Sequence, residues 1–434
     1  MSFQQGLSGL NSSSKALDVV SNNIANANTV GFKSSATHFA DVYANSLAGA
    51  GASQVGIGVQ TAAIMQQFSQ GNISSTNNPL DMSINGGGFY RMTTNGNVTY
   101  SRNGQFHLDK NGYIVDDRAR VLTGYPVDGT GQIVQSAPVD LQLDAGDQDP
   151  VATGAGVGAL TGVRANVNLD SRSISPLSAA PPAPWVPGAT HDPSTYNWST
   201  ALSIYDTLGN AHTLSLYAVK STTSGLWDVH ASVDGTTDAN VTLGTPTLQF
   251  TTSGQLDGTI AGNGTVNVSI DLNTVMTDLG GVNDAASPLV FDMNFSGSTQ
   301  FGSVFGANRL EQDGYASGRL SGVSVSGDGV IRGNYTNGQS RNLGQVVLAN
   351  FTNPNGLTSL GGNQWGETST SGTALIGSPG SASLGVLQSA AVEESNVDLT
   401  AELVNMITQQ RNYQANAQSI KTQDSIMQTL VNLR

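Results

Sequence analysis

Residues 17–33, LDVVSNNIANANTVGFK, decide how the first part of this chain folds. Their apolar side chains recur at steps of three and four, which is the spacing of one face of an α-helix. Four asparagines interrupt the pattern, although asparagine within a helix costs up to about 0.7 kcal/mol relative to alanine. The stretch therefore predicts a helix whose amides make contacts that offset this cost. We expect Gly31 to stop the helix in the left-handed conformation that follows many helix C-termini.

The same spacing runs along both ends of the chain. One seam starts at Phe3, and the other runs from Leu399 to Val431. We expect Ser395 or Asn396 to cap the second helix, with Asp398 in its first turn. Serine, asparagine, glutamine and aspartate dilute both seams, so the helices need partners beyond each other. The seams and asparagines supply the candidate assembly residues, which are Leu7, Leu10, Leu17, Asn22, Asn23, Ile24, Asn26, Asn28, Gly31, Leu399, Leu403, Met406, Tyr413, Ile420 and Met427.

The region between the two helices indicates β structure. Asn95-Gly96, Asn103-Gly104, Asn111-Gly112 and Asp128-Gly129 are dipeptides of the kind that close tight hairpins. Further strands are expected over residues 201–205, 212–219 and 227–233. The predicted fold class is α+β, mainly β, with paired terminal coiled-coil helices followed by two nested β-rich domains in an elongated subunit. The predicted boundaries are 1–32 with 393–434 for the helices, 33–70 with 352–392 for connecting segments, 71–149 with 306–351 for an inner β domain, and 150–305 for an inserted outer β domain.

The composition excludes several classes of function. Only 11% of the 434 residues are charged, and the formal net charge is −14. An acidic chain without a basic cluster is a poor ligand for nucleic acid. Disulfides and thiolate metal sites are excluded because the chain has no cysteine. We expect neither membrane insertion nor a cleaved signal peptide, because no segment is sufficiently apolar.

No set of residues predicts catalysis, a metal or a cofactor. The five histidines are scattered without metal-ligand spacing. His191 lies in the proline-rich segment 175–193, which we expect to be a solvated loop. The glycine run at residues 154–158 does not have the spacing of a phosphate-binding loop, so we expect a flexible turn. The protein is therefore expected not to be an enzyme.

The two ends of the chain resemble a known family. Residues 17–33 are similar to the N-terminal motif of the bacterial flagellar rod, hook and hook-associated axial proteins, and residues 395–433 to their C-terminal motif. IYDTLGNAHTLSLY (204–217), STQFGS (298–303), QDGYASGRL (312–320) and GNYTNGQSRNLGQVVLANF (333–351) resemble the hook members in particular.

This resemblance implies a structural subunit of a helical tube that joins the flagellar rod to the filament as a flexible universal joint transmitting torque. It implies an extracellular place in the flagellum and export through the flagellar type III apparatus. The implied partners are further copies of the chain, the distal rod protein, the hook-filament junction protein and, during assembly, the hook cap protein. The alternatives are a distal rod protein, which would form straight polymers, and a secreted β-rich adhesin.

Overall fold

The computed structural model describes residues 2–42, 56–143, 146–156, 161–179, 181–189 and 191–432. Elements up to residue 140 are α1 (Ser2–Ala25), β1 (Ser35–Val42), β2 (Gly58–Gln66), β3 (Ile73–Ser75), β4 (Met82–Asn85), β5 (Phe89–Thr94), β6 (Asn97–Ser101), β7 (His107–Leu108), β8 (Ile114–Val115), β9 (Val121–Tyr125) and β10 (Val139–Asp140). The middle of the chain contains β11 (Val163–Asn168), β12 (Trp198–Tyr205), β13 (Ala211–Lys220), β14 (Leu226–Val233), β15 (Val241–Leu243), β16 (Thr247–Gln249), β17 (Thr265–Ile270), α2 (Leu272–Asp278), β18 (Leu289–Asn294) and β19 (Gly306–Gln312). The last part contains β20 (Leu320–Val325), β21 (Val330–Tyr335), β22 (Ser340–Val346), β23 (Leu348–Asn350), β24 (Thr358–Gly361), β25 (Gln364–Gly366), β26 (Leu375–Gly377), β27 (Val386–Ser389), β28 (Ala391–Glu393) and α3 (Leu399–Asn432).

The chain folds into two compact units, and the second is inserted into the first along the sequence. Unit 1 consists of Met1–Ala145, Gly322–Asn334 and Ser340–Arg434, and unit 2 consists of Gly146–Ser321 and Tyr335–Gln339. The α+β class, with helices at both ends and strands between them, is confirmed. Among the described residues, no helix combines the length and the apolar character that crossing a bilayer requires.

Unit 1 is built on one large sheet in which β20-β21-β22-β9-β5-β6-β25-β24 are neighbours. Asn95 and Gly96 both adopt positive φ in the turn between β5 and β6, as the hairpin prediction requires. Asn103-Gly104 does not close a hairpin. Instead the Gly104 carbonyl accepts from Met82 N at 2.8 Å, and a Cβ on Gly104 would collide with the Met82 carbonyl oxygen. The dipeptide therefore serves a close backbone contact here in place of a turn.

Unit 2 contains a five-stranded sheet, β15-β17-β18-β11-β19, and a four-stranded sheet, β12-β13-β14-β16. The strands predicted at 201–205, 212–219 and 227–233 correspond to β12, β13 and β14. Side chains from both sheets share one hydrophobic core, including Val163, Leu214, Trp227 and Met293. Two sheets that bury alternate side chains against each other are the arrangement of a β-sandwich. The chain enters and leaves unit 2 side by side, because Gln148 forms an antiparallel bridge with Gly318.

The two terminal helices pair antiparallel in unit 1, as expected. A Cβ on Gly6 would lie 3.0 Å from Ile420 Cγ1, and one on Gly9 would lie 2.8 Å from the Asn416 amide. Further along, Asn23 Nδ2 lies 3.3 Å from Glu402 Oε1. Small residues therefore let α1 and α3 approach closely near the start of α1.

The predicted helix ends and caps need correction. Helix α1 ends at Ala25, and the Ala27 N–H donates to the Ile24 carbonyl at 3.2 Å, three residues back, in the turn that follows. Gly31 does adopt the left-handed conformation, with φ of +69°, but its N–H donates to the Glu393 carbonyl at 2.7 Å. It is therefore not the residue that stops α1. Asp398 caps α3 through bonds from the Thr400 and Ala401 N–H groups, in place of Ser395 or Asn396.

Candidate assembly surface

The face that α1 buries lies one residue before the predicted seam. Its buried positions recur at helical spacing and are small or polar apart from two valines, and they are Gly6, Ser12, Ser13, Ala16, Val19, Val20 and Asn23. The predicted positions Leu10, Leu17 and Ile24 are only half-buried, and Leu7 is 44% exposed. The prediction of the seam was wrong because it assumed that the largest apolar side chains face the partner helix. Close approach of two helices instead selects small residues.

In α3, as in α1, the buried face is displaced from the predicted seam. Met406 and Ile420 are half-buried, as are Gln409 and Asn416, which are not on the predicted seam. The predicted positions Leu399, Leu403, Tyr413 and Met427 are exposed, with 44% of Leu403 and 62% of Met427 accessible. Val404, Ile407 and Ile426 are also exposed. The paired helices thus carry a set of large apolar side chains that the described chain leaves open to solvent.

An isolated surface leucine needs no explanation, but a set on two paired helices does. Helix α3 has 34 residues against 24 in α1, and Ile420 already lies beside Gly6. The last two or three turns of α3, with Ile426 and Met427, therefore continue past the first residues of α1. Ile426 and Met427 are exposed along this unpaired stretch of helix.

A buried ion cluster joins the helices to the β-sheets of unit 1. Lys33 Nζ lies 2.6 Å from Glu393 Oε1, and Arg102 Nη1 lies 3.1 Å from Glu393 Oε2. None of the three side chains has more than 4% of its surface exposed. Lys33 also donates to the Ser69 carbonyl at 2.7 Å, and the Gly71 N–H donates to Glu393 Oε1 at 2.8 Å. One carboxylate thus holds three separate segments of chain.

The cluster contains two cations for one anion. Burial lowers the pKa of Lys33, an effect that Glu393 opposes by attraction and hydrogen bonding and that Arg102 adds to. Burial also raises the pKa of Tyr90 well above its ordinary value, with Glu393 contributing in the same direction. Tyr90 stays protonated and donates to the Met82 carbonyl at 2.6 Å. Glu393 therefore supplies the negative charge that offsets the positive charges of Lys33 and Arg102.

Asn23 is buried within the chain, with 1% of its surface exposed, and does not lie on an outward face. Its Oδ1 accepts from Ser35 N at 3.0 Å, and its Nδ2 donates to the Ser35 carbonyl at 2.9 Å. One amide thus satisfies both main-chain groups of the residue that begins β1. This pairing explains why asparagine occupies a helix position that a better helix former would otherwise fill.

The other three asparagines remain near the surface. Asn22 and Asn28 are exposed, and Asn26 is half-buried with its Nδ2 donating to the Asn22 carbonyl at 2.9 Å. Asn22 and Asn26 line a polar cavity of about 600 Å³, together with Asp117 and Arg118. These asparagines are the ones that keep free capacity for contacts with another molecule.

Asn396 does not cap α3, as the sequence suggested, but makes hydrogen bonds to two other segments of unit 1. Its Oδ1 accepts from Ser34 N at 2.7 Å, and its Nδ2 donates to the Gln67 carbonyl at 2.7 Å. It ties the chain leaving α1 and the chain returning from β2 to the start of α3. Lys33, Arg102 and Glu393 were missed altogether, although charged residues are scarce enough in this sequence to have drawn notice.

The glycine run in unit 2 is an anion nest that the chain fills itself. Asp313 Oδ1 accepts from Gly154 N at 2.8 Å, and Oδ2 accepts from Gly156 N at 3.0 Å and Gly162 N at 2.9 Å. The expectation of a flexible turn was wrong for residues 154–156, since two of their N–H groups and that of Gly162 converge on one carboxylate. Residues 157 and 158 of the run lie outside the described part of the chain.

The proline-rich segment 175–193 is anchored to the β-sandwich of unit 2 by one tryptophan. The Trp185 ring stacks between the His191 ring, 4.6 Å away at 14°, and the His230 ring, 4.3 Å away at 12°. Trp185 Nε1 also donates to Asp238 Oδ2 at 2.7 Å. The expectation of a solvated loop was therefore wrong for this part of the segment.

Comparison with known proteins places each part of this architecture. Family models match residues 3–33 (Flagella basal body rod protein), 83–146 (Flagellar hook protein FlgE/F/G D1 domain), 168–315 (Flagellar basal body protein FlaE D2 domain) and 388–433 (Flagellar basal body rod FlgEFG protein C-terminal). A crystal structure of the Helicobacter pylori flagellar hook protein FlgE2 has a similar fold. Its TM-score is 0.50 at 13% identity, covering 73% of this chain and 99% of that one.

Curated relatives match along their whole length. The flagellar hook protein FlgE of Salmonella typhimurium is 41% identical over 440 residues, and that of Escherichia coli is 40% identical over 438 residues. The alignments cover 100% of this chain and 100% of each relative. A paired helical end, two β units and full-length similarity of this degree agree with one another, and the chain therefore belongs to the flagellar hook protein family.

Proposed function

We propose that copies of this chain assemble into a helical tube through the exposed apolar faces of α1 and α3, and that the tube serves as a flexible universal joint. As a hook subunit, the protein is a structural component of the extracellular part of the flagellum. The observation that carries the proposal is the exposure of Leu7, Leu403 and Met427 on helices whose mutual contact uses small residues. Neighbouring copies would bury these side chains, at about 25 cal/mol per Å² of apolar surface.

A joint that transmits torque needs a fixed connection between its helices and its sheets. The ion cluster of Lys33, Arg102 and Glu393 supports this role because a buried carboxylate with two cations resists displacement. Asn23 and Asn396 add main-chain bonds at the same place. We propose that this connection is the stiff part of the subunit and that the uncharged serine- and threonine-rich β surfaces slide during bending.

The proposal also covers the layers of the tube and the proteins that would bind it. The predicted nesting would put the terminal helices inside, the sheets of unit 1 around them, and unit 2 outermost in an elongated subunit. The distal rod protein and the hook-filament junction protein would bind the two ends of the tube. The hook cap protein would guide growth, and the flagellar type III apparatus would export the chain without a cleaved signal peptide.

Removing unit 2 tests whether the rest of the chain is sufficient for assembly and whether unit 2 affects the bending of the tube. Because Gln148 pairs with Gly318, a short glycine linker from residue 147 to residue 319 can replace the segment between them. We expect this chain to form tubes under polymerising conditions, with curvature or rigidity different from that of the full chain in electron micrographs. Failure of a folded truncated chain to assemble would contradict the proposal. Straight tubes from the full chain would instead favour a distal rod protein.

A further inference from the structure

The polar cavity of about 600 Å³ beside the end of α1, here called the amide cavity, is open and rich in hydrogen-bond donors. Its walls include the end of α1 and the turn that follows it (22–33), the loop between β8 and β9 (116–120), and the turn between β24 and β25 (361–363). All three parts belong to unit 1. A cavity of this volume can hold a small molecule or side chains of another protein chain.

The side-chain amides of the cavity already use their acceptor oxygens within the chain. Asn22 Oδ1 accepts from Asn26 Nδ2 at 3.1 Å, and Asn26 Oδ1 accepts from Thr29 Oγ1 at 3.3 Å. Asn103 Oδ1 accepts from Gln105 N at 3.0 Å. In the described part of the chain, the Nδ2 groups of Asn22 and Asn103 have no acceptor. What these amides have left to offer a bound group is therefore N–H donors.

Arg118 is a cation of the cavity whose side chain has no partner. Its guanidinium lies against the turn between β24 and β25, where a Cβ on Gly362 would collide with it. Within the described residues, this guanidinium forms neither a hydrogen bond nor an ion pair. A guanidinium carries five N–H donors in a planar fork that matches the two oxygens of a carboxylate. An oxyanion is therefore the group that this side chain lacks.

The two acidic residues of the cavity do not supply that oxyanion. Asp116 Oδ1 accepts from the Arg118 and Arg120 main-chain N–H groups, both at 3.0 Å, and its Oδ2 accepts from Arg120 Nε at 2.7 Å. Asp117 is exposed, and its Oδ1 lies 3.9 Å from His107 Nδ1. Arg120 Nη1 is buried and has no hydrogen-bond partner. The cavity lining has three basic and two acidic residues, so one positive charge is in excess.

We propose that the amide cavity is an oxyanion site that binds a carboxylate side chain of a second copy of this chain. A wall of unused donors with one basic residue in excess favours an anion over a cation. Carboxylates are the anions that a second copy supplies in excess, because the chain has 31 acidic residues against 17 lysines and arginines. The oxyanion site is a property of the monomer, whereas its filling by a second copy rests on the tube proposed above.

Titration of the full-length monomer with sodium acetate tests the site itself. Sodium chloride at the same ionic strength is the reference, because it gives the same screening without a carboxylate. We expect acetate to shift the side-chain amide NMR signals of Asn22 and Asn103, and Arg118→Gln to reduce these shifts at least about fivefold. Arg341→Gln, at an exposed position of β22, is the matched control and should retain them. Equal shifts with acetate and chloride in the wild-type chain would overturn the oxyanion site.

Cross-linking in assembled tubes tests the source of the carboxylate. Arg118→Lys keeps the positive charge and supplies an amine, which a carbodiimide joins to a touching carboxylate as an amide while the carbodiimide takes up the water that is lost. Tubes made from equal parts of isotope-labelled and unlabelled Arg118→Lys chain should give mixed-isotope peptides that join the substituted position to an aspartate or glutamate of another copy. The same mixture kept as monomer should give none.

The outcomes separate this inference from the proposed function. Well-formed tubes without mixed-isotope products would overturn the second copy as the source, even where acetate binds to the monomer. Absence of tubes from the wild-type chain would overturn the proposed function and with it the second copy as the source. The acetate titration decides the oxyanion site in either case, because it uses the monomer alone.

Discussion

Glu393, at the end of β28, forms a fully buried ion pair with Lys33, which follows the turn after α1, at 2.6 Å. These residues are 360 positions apart, and the pair joins the segment that follows α1 to the segment that precedes α3. Arg102 approaches the other carboxylate oxygen at 3.1 Å. The terminal helices are thus fixed to the sheets of unit 1 by a charge cluster, in addition to their contact with each other.

Loss of Glu393 should destabilise unit 1 more than loss of Lys33. Glu393→Gln leaves two buried cations without a counter-charge, and we expect a loss of about 3–5 kcal/mol in the free energy of unfolding. Lys33→Met leaves Glu393 paired with Arg102, and its cost should be about 1–2 kcal/mol. Urea unfolding of both variants measures the difference. A larger loss for Lys33→Met would contradict the idea that two uncompensated buried cations destabilise unit 1 more than the loss of one cation.

Asn23→Ala should cost about 2 kcal/mol, because it leaves the main-chain groups of Ser35 without the amide that now bonds both. Asn28→Ala, at an exposed position five residues later, is the control and should change the free energy of unfolding by less than about 0.5 kcal/mol. Thermal or urea unfolding distinguishes the two. Equal effects would mean that the buried amide has no special structural role.

Asp313→Asn should loosen the glycine run of unit 2. An amide offers one acceptor oxygen where the carboxylate accepts three N–H groups, and its NH₂ group would face a donor. We expect a cost of about 1–3 kcal/mol and faster hydrogen exchange at Gly154, Gly156 and Gly162. Asp284→Asn, at an exposed site in the same unit, is the control. Unchanged exchange at the three glycines would argue against the nest.

Tyr100 should make the protein sensitive to alkali. Burial raises its pKa to about 12, assisted by Glu367, whose Oε2 lies 3.3 Å from the hydroxyl. The unfolded chain loses this proton near pH 10 while the folded chain keeps it, so the free energy of unfolding falls as the pH rises from about 10 to 12. Tyr100→Phe removes this contribution and keeps the ring against Phe351.

Urea unfolding at pH 8 and pH 11 gives the comparison. The loss of stability between the two values should be smaller for Tyr100→Phe than for the wild-type chain, whereas Tyr413→Phe on the exposed face of α3 should behave like wild type. If all three chains lose the same amount, ionisation of Tyr100 is not coupled to unfolding.

The sequence pattern was sufficient for the fold class and for the two terminal helices, but it did not predict the short helix α2 in unit 2. Periodicity predicted α1 and α3, and Asn95-Gly96 predicted the turn between β5 and β6. The register of the helix pair was missed because Gly6 and Gly9 carry no hydrophobic signal, although they set how closely the helices approach. The ion cluster could not be predicted either. The contact among residues 33, 102 and 393 depends on the folded path of all the chain between them.

Polymerisation of a chain with Leu7→Ser and Leu403→Ser tests most directly whether the exposed faces of α1 and α3 drive assembly. Both side chains are 44% exposed, so the folded monomer should keep its free energy of unfolding within about 1 kcal/mol. Gln4→Ser with Gln418→Ser, also at exposed positions of α1 and α3, is the matched control. Electron microscopy under polymerising conditions should show tubes from the control and only monomers from the leucine variant. Tubes of normal appearance from a folded leucine variant would contradict assembly through these helix faces.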